Sequence, residues 1–333
     1  MKAFSINRYS KADPLTLVEL PEPEVKANEI LIQVYAAGVN QLDSKIKHGE
    51  FKLILPYKLP LVLGHDVAGV VSKTGSKVSR FKVGDEVYAR AADFHIGAFA
   101  EYVSIDENDA ALKPKNLSMV EAASIPLVGL TAWQALVVKA RLQNGQKIFI
   151  QAGSGGVGTI AIQLARNLGA TVATTTGSAG TQLVKDLGAN VIIDYRKEDF
   201  ETLLKDYDVV LNSQDNKTLE KSLQILKPDG KLISISGPPT PGFAKELGMP
   251  WYVKLATWLL SRKVRTLAKK KKVDYSFLFM TANGKQLAQL TALIENGEIS
   301  PVIDKVFPFE QTNEALQYVE GGRAKGKVVI QIK

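Results

Sequence analysis

Three glycines, Gly153, Gly155 and Gly158, stand at G-x-G-x-x-G spacing between an apolar run at 147–151 and a helical pattern carried by Ile160, Ile162, Leu164, Ala165 and Leu168. In that context the spacing suits a dinucleotide. The first glycine permits a tight turn, the second lets backbone approach a pyrophosphate, and the third lets the helix lie against the strand. Free N–H groups and the positive end of the helix dipole would then receive the phosphates. Gly153, Ser154, Gly155, Gly156, Val157 and Gly158 are therefore the expected cofactor grip. A glycine-rich turn can also be purely structural, and the flanking strand and helix favour the nucleotide.

The second strand of such a fold normally ends in an acid that holds the adenosine ribose. Here it ends in Thr174-Thr175-Thr176-Gly177-Ser178 with no carboxylate, so Thr175, Thr176 and Ser178 could accept a 2′-phosphate, and NADP(H) is expected over NAD(H). Tyr195 and Arg196, at the end of the next strand, could add a phenol donor and a cation. The alternative for Arg196 is a solvated surface residue. Branch-point crevices at strand C-termini also direct Ser236, Gly237, Leu278, Phe279 and Met280 toward the nicotinamide.

Two domains must position these residues. Residues 1–122 read as short strands divided by proline and glycine turns, an irregular β domain. A helix is expected through 121–140, with Pro126 marking an irregularity. From the glycine turn onward, strands expected at 171–175, 190–194, 208–212, 231–235 and 275–280 alternate with helices, the pattern of a doubly wound parallel sheet. The tail returns to β character, so the division is 1–122 with 296–333, and 123–295. The fold class is α/β.

The 333 residues, 45% hydrophobic and 23% charged, are an ordinary globular mixture. The chain has no cysteine, which excludes disulfides, thiolate nucleophiles and cysteine-ligated metal sites. No signal-peptide core or spanning segment is evident, and a cytoplasmic enzyme is expected. Residues 251–272 hold eight cations and no acid, as many charges as the net +8 of the whole chain. Trp251, Tyr252, Leu255, Trp258, Leu259 and Val264 recur beside them at helical spacing, so 251–273 reads as a basic amphipathic helical insert. A lid or subunit contact is favoured for it over a membrane surface, and nucleic acid is not an expected partner.

The motifs GVNQLD (38–43), GHDVAGVV (64–71), VGDEVYA (83–89), GAFAEYV (97–103), GLTAW (129–133), AGSGGVG (152–158) and GKVVI (326–330) together resemble the zinc-independent quinone oxidoreductases and enone reductases of the medium-chain dehydrogenase/reductase superfamily. The resemblance spans essentially the whole chain. It implies a GroES-like β-rich catalytic domain plus a Rossmann domain, a cleft between them, and a homodimer. Zinc members place cysteine where Asn40 stands and glutamate where Asp66 stands; only His65 remains of their ligand set. A site from His48, His65, His95 and Asp66 matches no known spacing, and no metal is expected.

By the same resemblance Asn40 would steady the acceptor oxygen, with Asp43 beside it, and Thr131 would hold the nicotinamide carboxamide. Lys325 and Lys327 would approach the adenine-side phosphate. The plainer alternatives are a turn cap for Asn40, a helix start for Asp43, a packed hydroxyl for Thr131 and solvated lysines. A conjugated acceptor needs only a modest donor, because the arriving charge is delocalised onto oxygen. No general acid stands out in the sequence; the proton could come from solvent or from a tyrosine such as Tyr57. The expected reaction is hydride transfer from NADPH to a quinone, or alternatively to the C=C bond of an enone or alkenal. A non-catalytic NADPH-binding protein, or one acting through the 251–272 surface, is the reading of another class.

Overall fold

The computed structural model describes residues 1–52 and 54–333. The chain forms two compact units, Met1–Leu130 with Thr281–Lys333, and Thr131–Met280.

In the first unit a seven-stranded sheet runs in the order Ile303–Pro308, Lys327–Gln331, Glu29–Val39, Asp66–Thr74, Glu86–Arg90, Ala110–Leu112, with Tyr102–Asp106 also pairing with Glu29–Val39. A small sheet of Thr16–Glu19, Lys2–Ile6 and Leu61–Val62 accompanies it. The long strand Glu29–Val39 is the hub. Its first half pairs with 102–106, its second half with 328–331, and its other edge with 66–74. Ile30, Ile32, Val34, Val67, Val71, Val87, Phe307 and Ile330 fill the core of this unit.

Six parallel strands form the sheet of the second unit, in the order Val191–Asp194, Thr171–Thr176, Lys147–Ile150, Tyr207–Asn212, Leu226–Ser234, Asp274–Phe277. Taken by position in the chain this is 3-2-1-4-5-6, the doubly wound order expected from the alternating pattern. The central strands carry apolar runs such as Ile148–Ile150 and Val209–Leu211, as helices covering both faces require, and the Phe149 ring packs on Phe200 at 4.7 Å.

Three details differ from the sequence reading. The expected helix at 121–140 is broken into Met119–Ala123, Pro126–Trp133 and a π-helical turn Gln134–Ala140. Pro126, which has no N–H to give, starts the second piece where none is needed. The basic insert is two helices, Trp251–Leu260 and Arg262–Lys271, because the Ser261 hydroxyl donates back to Thr257 O at 2.6 Å and the backbone bends there. Helix Gly284–Glu295, assigned with 123–295 from its position in the chain, instead packs in the first unit, as do residues 123–130. Its contacts explain this: Asn116 Nδ2 donates to Ile294 O, Lys115 N donates to Glu295 Oε1, and Tyr88 Oη donates to Leu287 O.

Gly284 lets this helix approach closely. A Cβ there would lie 2.1 Å from Ala110 O and 2.7 Å from Asn108 O. Glycine to alanine in a helix usually gains stability; here overpacking reverses the sign. Gly284→Ala is expected to cost about 1–3 kcal/mol in urea unfolding.

Candidate active site

The glycine turn begins where strand Lys147–Ile150 ends. Ala152 adopts a left-handed φ of 50°, and its N–H donates to Thr175 Oγ1 at 3.1 Å. Space permits no side chain at two of the three glycines. A Cβ on Gly153 would sit 2.1 Å from Thr174 Oγ1, and one on Gly158 would sit 2.4 Å from Ala152 O. Gly155 is the N-cap of helix Gly156–Asn167 and brings no side chain to its leading N–H groups, which stay available to an anion. Ser154, Gly156 and Val157 complete the turn.

Ser178 follows one strand end and Tyr195 and Arg196 follow the adjacent one, where Thr176 pairs with Asp194. A Cβ on Gly177 would lie 3.8 Å from the Tyr195 ring and 3.9 Å from the Arg196 guanidinium, and of the five expected phosphate ligands Ser178, Tyr195 and Arg196 are exposed. The Arg196 guanidinium rests 5.7 Å from the Tyr195 ring centre. Thr175 and Thr176 differ from expectation. Both are buried, Thr175 accepting from the turn and Thr176 donating to Ser154 Oγ at 3.0 Å, so they brace the loop instead of facing a phosphate.

Beneath the strand ends runs a polar chain that sequence reasoning missed. Gln151 Nε2 donates to Ser222 Oγ (2.7 Å), Asn212 Nδ2 to Gln151 Oε1 (2.7 Å), Ser234 Oγ to Asn212 Oδ1 (2.6 Å) and Gly237 N to Ser234 Oγ (2.8 Å). The available signal was a polar residue closing each apolar strand: IFIQ, VVLN and LIS. Gly237 is thus buried with its N–H used, whereas Ser236 is exposed and donates to Gln214 O. Leu278 and Met280 are buried and Phe279 lies half-buried against Phe243, all three just past the last strand. Thr131 is buried within helix Pro126–Trp133.

The first unit holds a second polar cluster, built where the hub strand ends. Asn40 caps helix Gln41–Lys47, its N–H donating to Asp43 Oδ2 at 2.8 Å. Asp43 Oδ1 faces His65 Nδ1 at 2.6 Å, and both side chains are fully buried. His65 Nε2 has no partner among the described residues. Asp66 is fully buried as well. Its Oδ1 accepts from Leu127 N at 2.7 Å, and its Oδ2 accepts from Asn40 Nδ2 at 3.0 Å and from Lys327 Nζ at 3.2 Å. Burial pushes the Asp66 carboxyl above its ordinary range, against the pull of the Lys327 charge and the Asn40 amide.

Two expectations change here. Lys327 Nζ spends its donors on Val39 O, Asn40 Oδ1 and Asp66 Oδ2, so it is a buried ion-pair partner and has none left for a phosphate; Lys325 is exposed. The Asn40 amide donates to Asp66 and, at 3.4 Å, to Gly38 O, so it has no free hydrogen for an acceptor oxygen. Tyr57 keeps its phenol proton over an extended range, because burial and the nearby Asp93 charge push its pKa up.

The Lys327 ammonium already sits on Asp66 and Asn40, and His48 lies by Glu50 and Glu320; His65, with Nδ1 held by Asp43, keeps Nε2 without a partner among the described residues. No group of three potential metal ligands converges among the described residues.

Residues 26–115 match the alcohol dehydrogenase GroES-like domain, and residues 187–330 match the zinc-binding dehydrogenase family model. The chain is 38% identical to a 2-methylene-furan-3-one reductase of Solanum lycopersicum, over 99% of this chain and 79% of the relative. It is 36% identical to an NADPH-dependent alkenal/one oxidoreductase of Arabidopsis thaliana, with the same coverages. The solved structure of a quinone oxidoreductase from Coxiella burnetii superposes with a TM-score of 0.85 at 31% identity, covering 100% of this chain and 99% of the other.

The cluster makes a stability prediction. Lys327→Met leaves the buried Asp66 charge without its counter-ion and is expected to cost about 3–5 kcal/mol near pH 7, with Asp66→Asn in the same chain recovering most of it. The single variant raises the folded-state pKa of Asp66 further above its unfolded value. Its deficit is therefore full above that folded pKa and shrinks as pH falls through it, as thermal unfolding across pH 5–8 would show.

Proposed function

Because this chain belongs to the quinone oxidoreductase and enone reductase family of the medium-chain dehydrogenase/reductase superfamily, we propose that it reduces quinones with NADPH and without zinc. The observation that carries the cofactor half is the placement of Tyr195 and Arg196 against Gly177, next to Ser178, where the neighbouring Asp194 carboxylate accepts from Arg196 N and pairs with Lys197. A 2′-phosphate there meets a hydroxyl, a phenol and a guanidinium whose planar fork matches it. Gly153 to Gly158 receive the pyrophosphate, and Ser236 with residues 278–280 bounds the nicotinamide end. Thr131 remains the proposed carboxamide partner.

Bound NADPH supplies the hydride. One hydride and one proton convert a quinone to its hydroquinone, so the protein must furnish a donor for the oxygen that gains charge. Tyr57 is the proposed hydrogen-bond donor to that oxygen; burial and the Asp93 charge make its phenol a weaker acid than an ordinary tyrosine, so the proton itself is drawn from solvent. Asn40 and Asp43 act at one remove, fixing the end of the hub strand and the orientation of His65. The Lys327–Asp66 pair supports the zinc-independent reading, because a fixed cation stands among the positions that ligate metal in other branches.

The tomato and Arabidopsis relatives are named for enone-type acceptors, and the same delivery of hydride to a β-carbon is the second reading. NADPH oxidation measured with a small benzoquinone and with a short enone, with products identified, separates the two. Quinone turnover should exceed enone turnover; NADPH binding with turnover of neither would overturn the enzymatic reading. For the cofactor, Ser178→Asp places a carboxylate beside the 2′-phosphate. It should weaken NADPH binding by about tenfold or more with little effect on NADH, read by fluorescence titration.

A further inference from the structure

Helix Trp251–Leu260 exposes more apolar surface than any neighbouring element needs. Trp251 is 74% exposed, Leu260 64%, Tyr252 60% and Leu259 56%, with Leu255 and Trp258 also open; only Thr257 is buried. Contiguous large apolar groups left in water mark a surface that something covers. The next helix, Arg262–Lys271, buries Val264 and Ala268 in the core of its unit and turns Arg262, Lys263, Lys269, Lys270 and Lys271 outward, followed by exposed Lys272. Lys263 is paired with Glu220, and Arg265 is tied to Ser261 and the Trp258 carbonyl. Arg262 and Arg265 lie 5.9 and 5.8 Å from the Trp258 ring, holding that ring beside the charge cluster.

We propose that these two helices form a docking surface for an anionic lipid bilayer. The leucines enter the acyl boundary, Trp251, Tyr252 and Trp258 sit at headgroup depth with their polar edges wet, and the lysines meet lipid phosphates. Charge selects this occupant over others. A second copy docked with a two-fold axis through the cation cluster would set that cluster against its own image, with no acid from residues 251–272 to relieve it. A nucleic-acid backbone would match the lysines but leave Leu255, Leu259 and Leu260 in water. No helix among the described residues is long and apolar enough to cross a membrane, so the contact lies in the plane of the surface. The inference is independent of the reductase reading.

Co-sedimentation of the full chain with phosphatidylcholine vesicles containing about one-third phosphatidylglycerol, and with phosphatidylcholine alone, tests it. The chain should partition onto the anionic vesicles only, lose that binding as salt rises, and show blue-shifted tryptophan emission when bound. The triple variant Lys269→Gln, Lys270→Gln, Lys271→Gln should weaken partition by at least about tenfold. Leu255→Ser with Leu259→Ser should weaken it as well and diminish the blue shift. All five positions are exposed, so circular dichroism and NADPH binding should be unchanged. Four outcomes would overturn the proposal: no binding to anionic vesicles, equal binding to neutral ones, unchanged partition of both variants, or a dimer that the leucine variant dissociates while vesicle binding persists.

Discussion

A single buried carboxylate joins four distant parts of the first unit. Asp66 receives hydrogen bonds from Asn40 at the end of the hub strand, from Lys327 in the last strand, and from the backbone at Leu127, where a helix begins. Removing such a charge from water is expensive, and only partners of this quality offset it. The arrangement fixes where the hub strand turns into helix Gln41–Lys47, and thereby where Asp43 and His65 meet. An ion pair is a modest source of stability compared with a well-packed apolar group of the same volume, so its value here is positional.

In the second unit the corresponding constraint is steric. The glycine turn closes because Gly158 lies against Ala152 and Gly153, and because Gly153 lies against Thr174. Threonines on the neighbouring strand hold the loop from behind, and the Gln151–Asn212–Ser234 chain fixes the strand ends below it. A nucleotide would then meet a surface that already has its shape, with little ordering left to do on binding.

Much of this was legible in the sequence. The alternation of apolar strands and helices after residue 147 specified the parallel sheet, and the glycine spacing specified its turn, because both signals are local. What was not legible depended on contacts far apart in the chain. Nothing near Lys327 announces that it pairs with a residue 261 positions away, and an exposed phosphate ligand and a buried counter-ion look alike in the string GKVVI. Thr175 and Thr176 were correctly placed at a strand end, yet which way each hydroxyl turns is decided by Ala152 and Ser154 across the sheet. Helix Gly284–Glu295 follows the last strand of the second unit in sequence, but its partners, Tyr88 and residues 115–116, belong to the first.

A lysine–carboxylate pair stands among the positions that the family resemblance gives to zinc in other branches, and on it rests the proposal that hydride reaches conjugated acceptors without a metal. The most direct test is the rate of NADPH oxidation by a small quinone after stripping with a chelator, with zinc counted by mass spectrometry in the same sample. The account predicts an undiminished rate and no retained zinc. A rate that collapses on chelation and returns with one zinc per chain would contradict it.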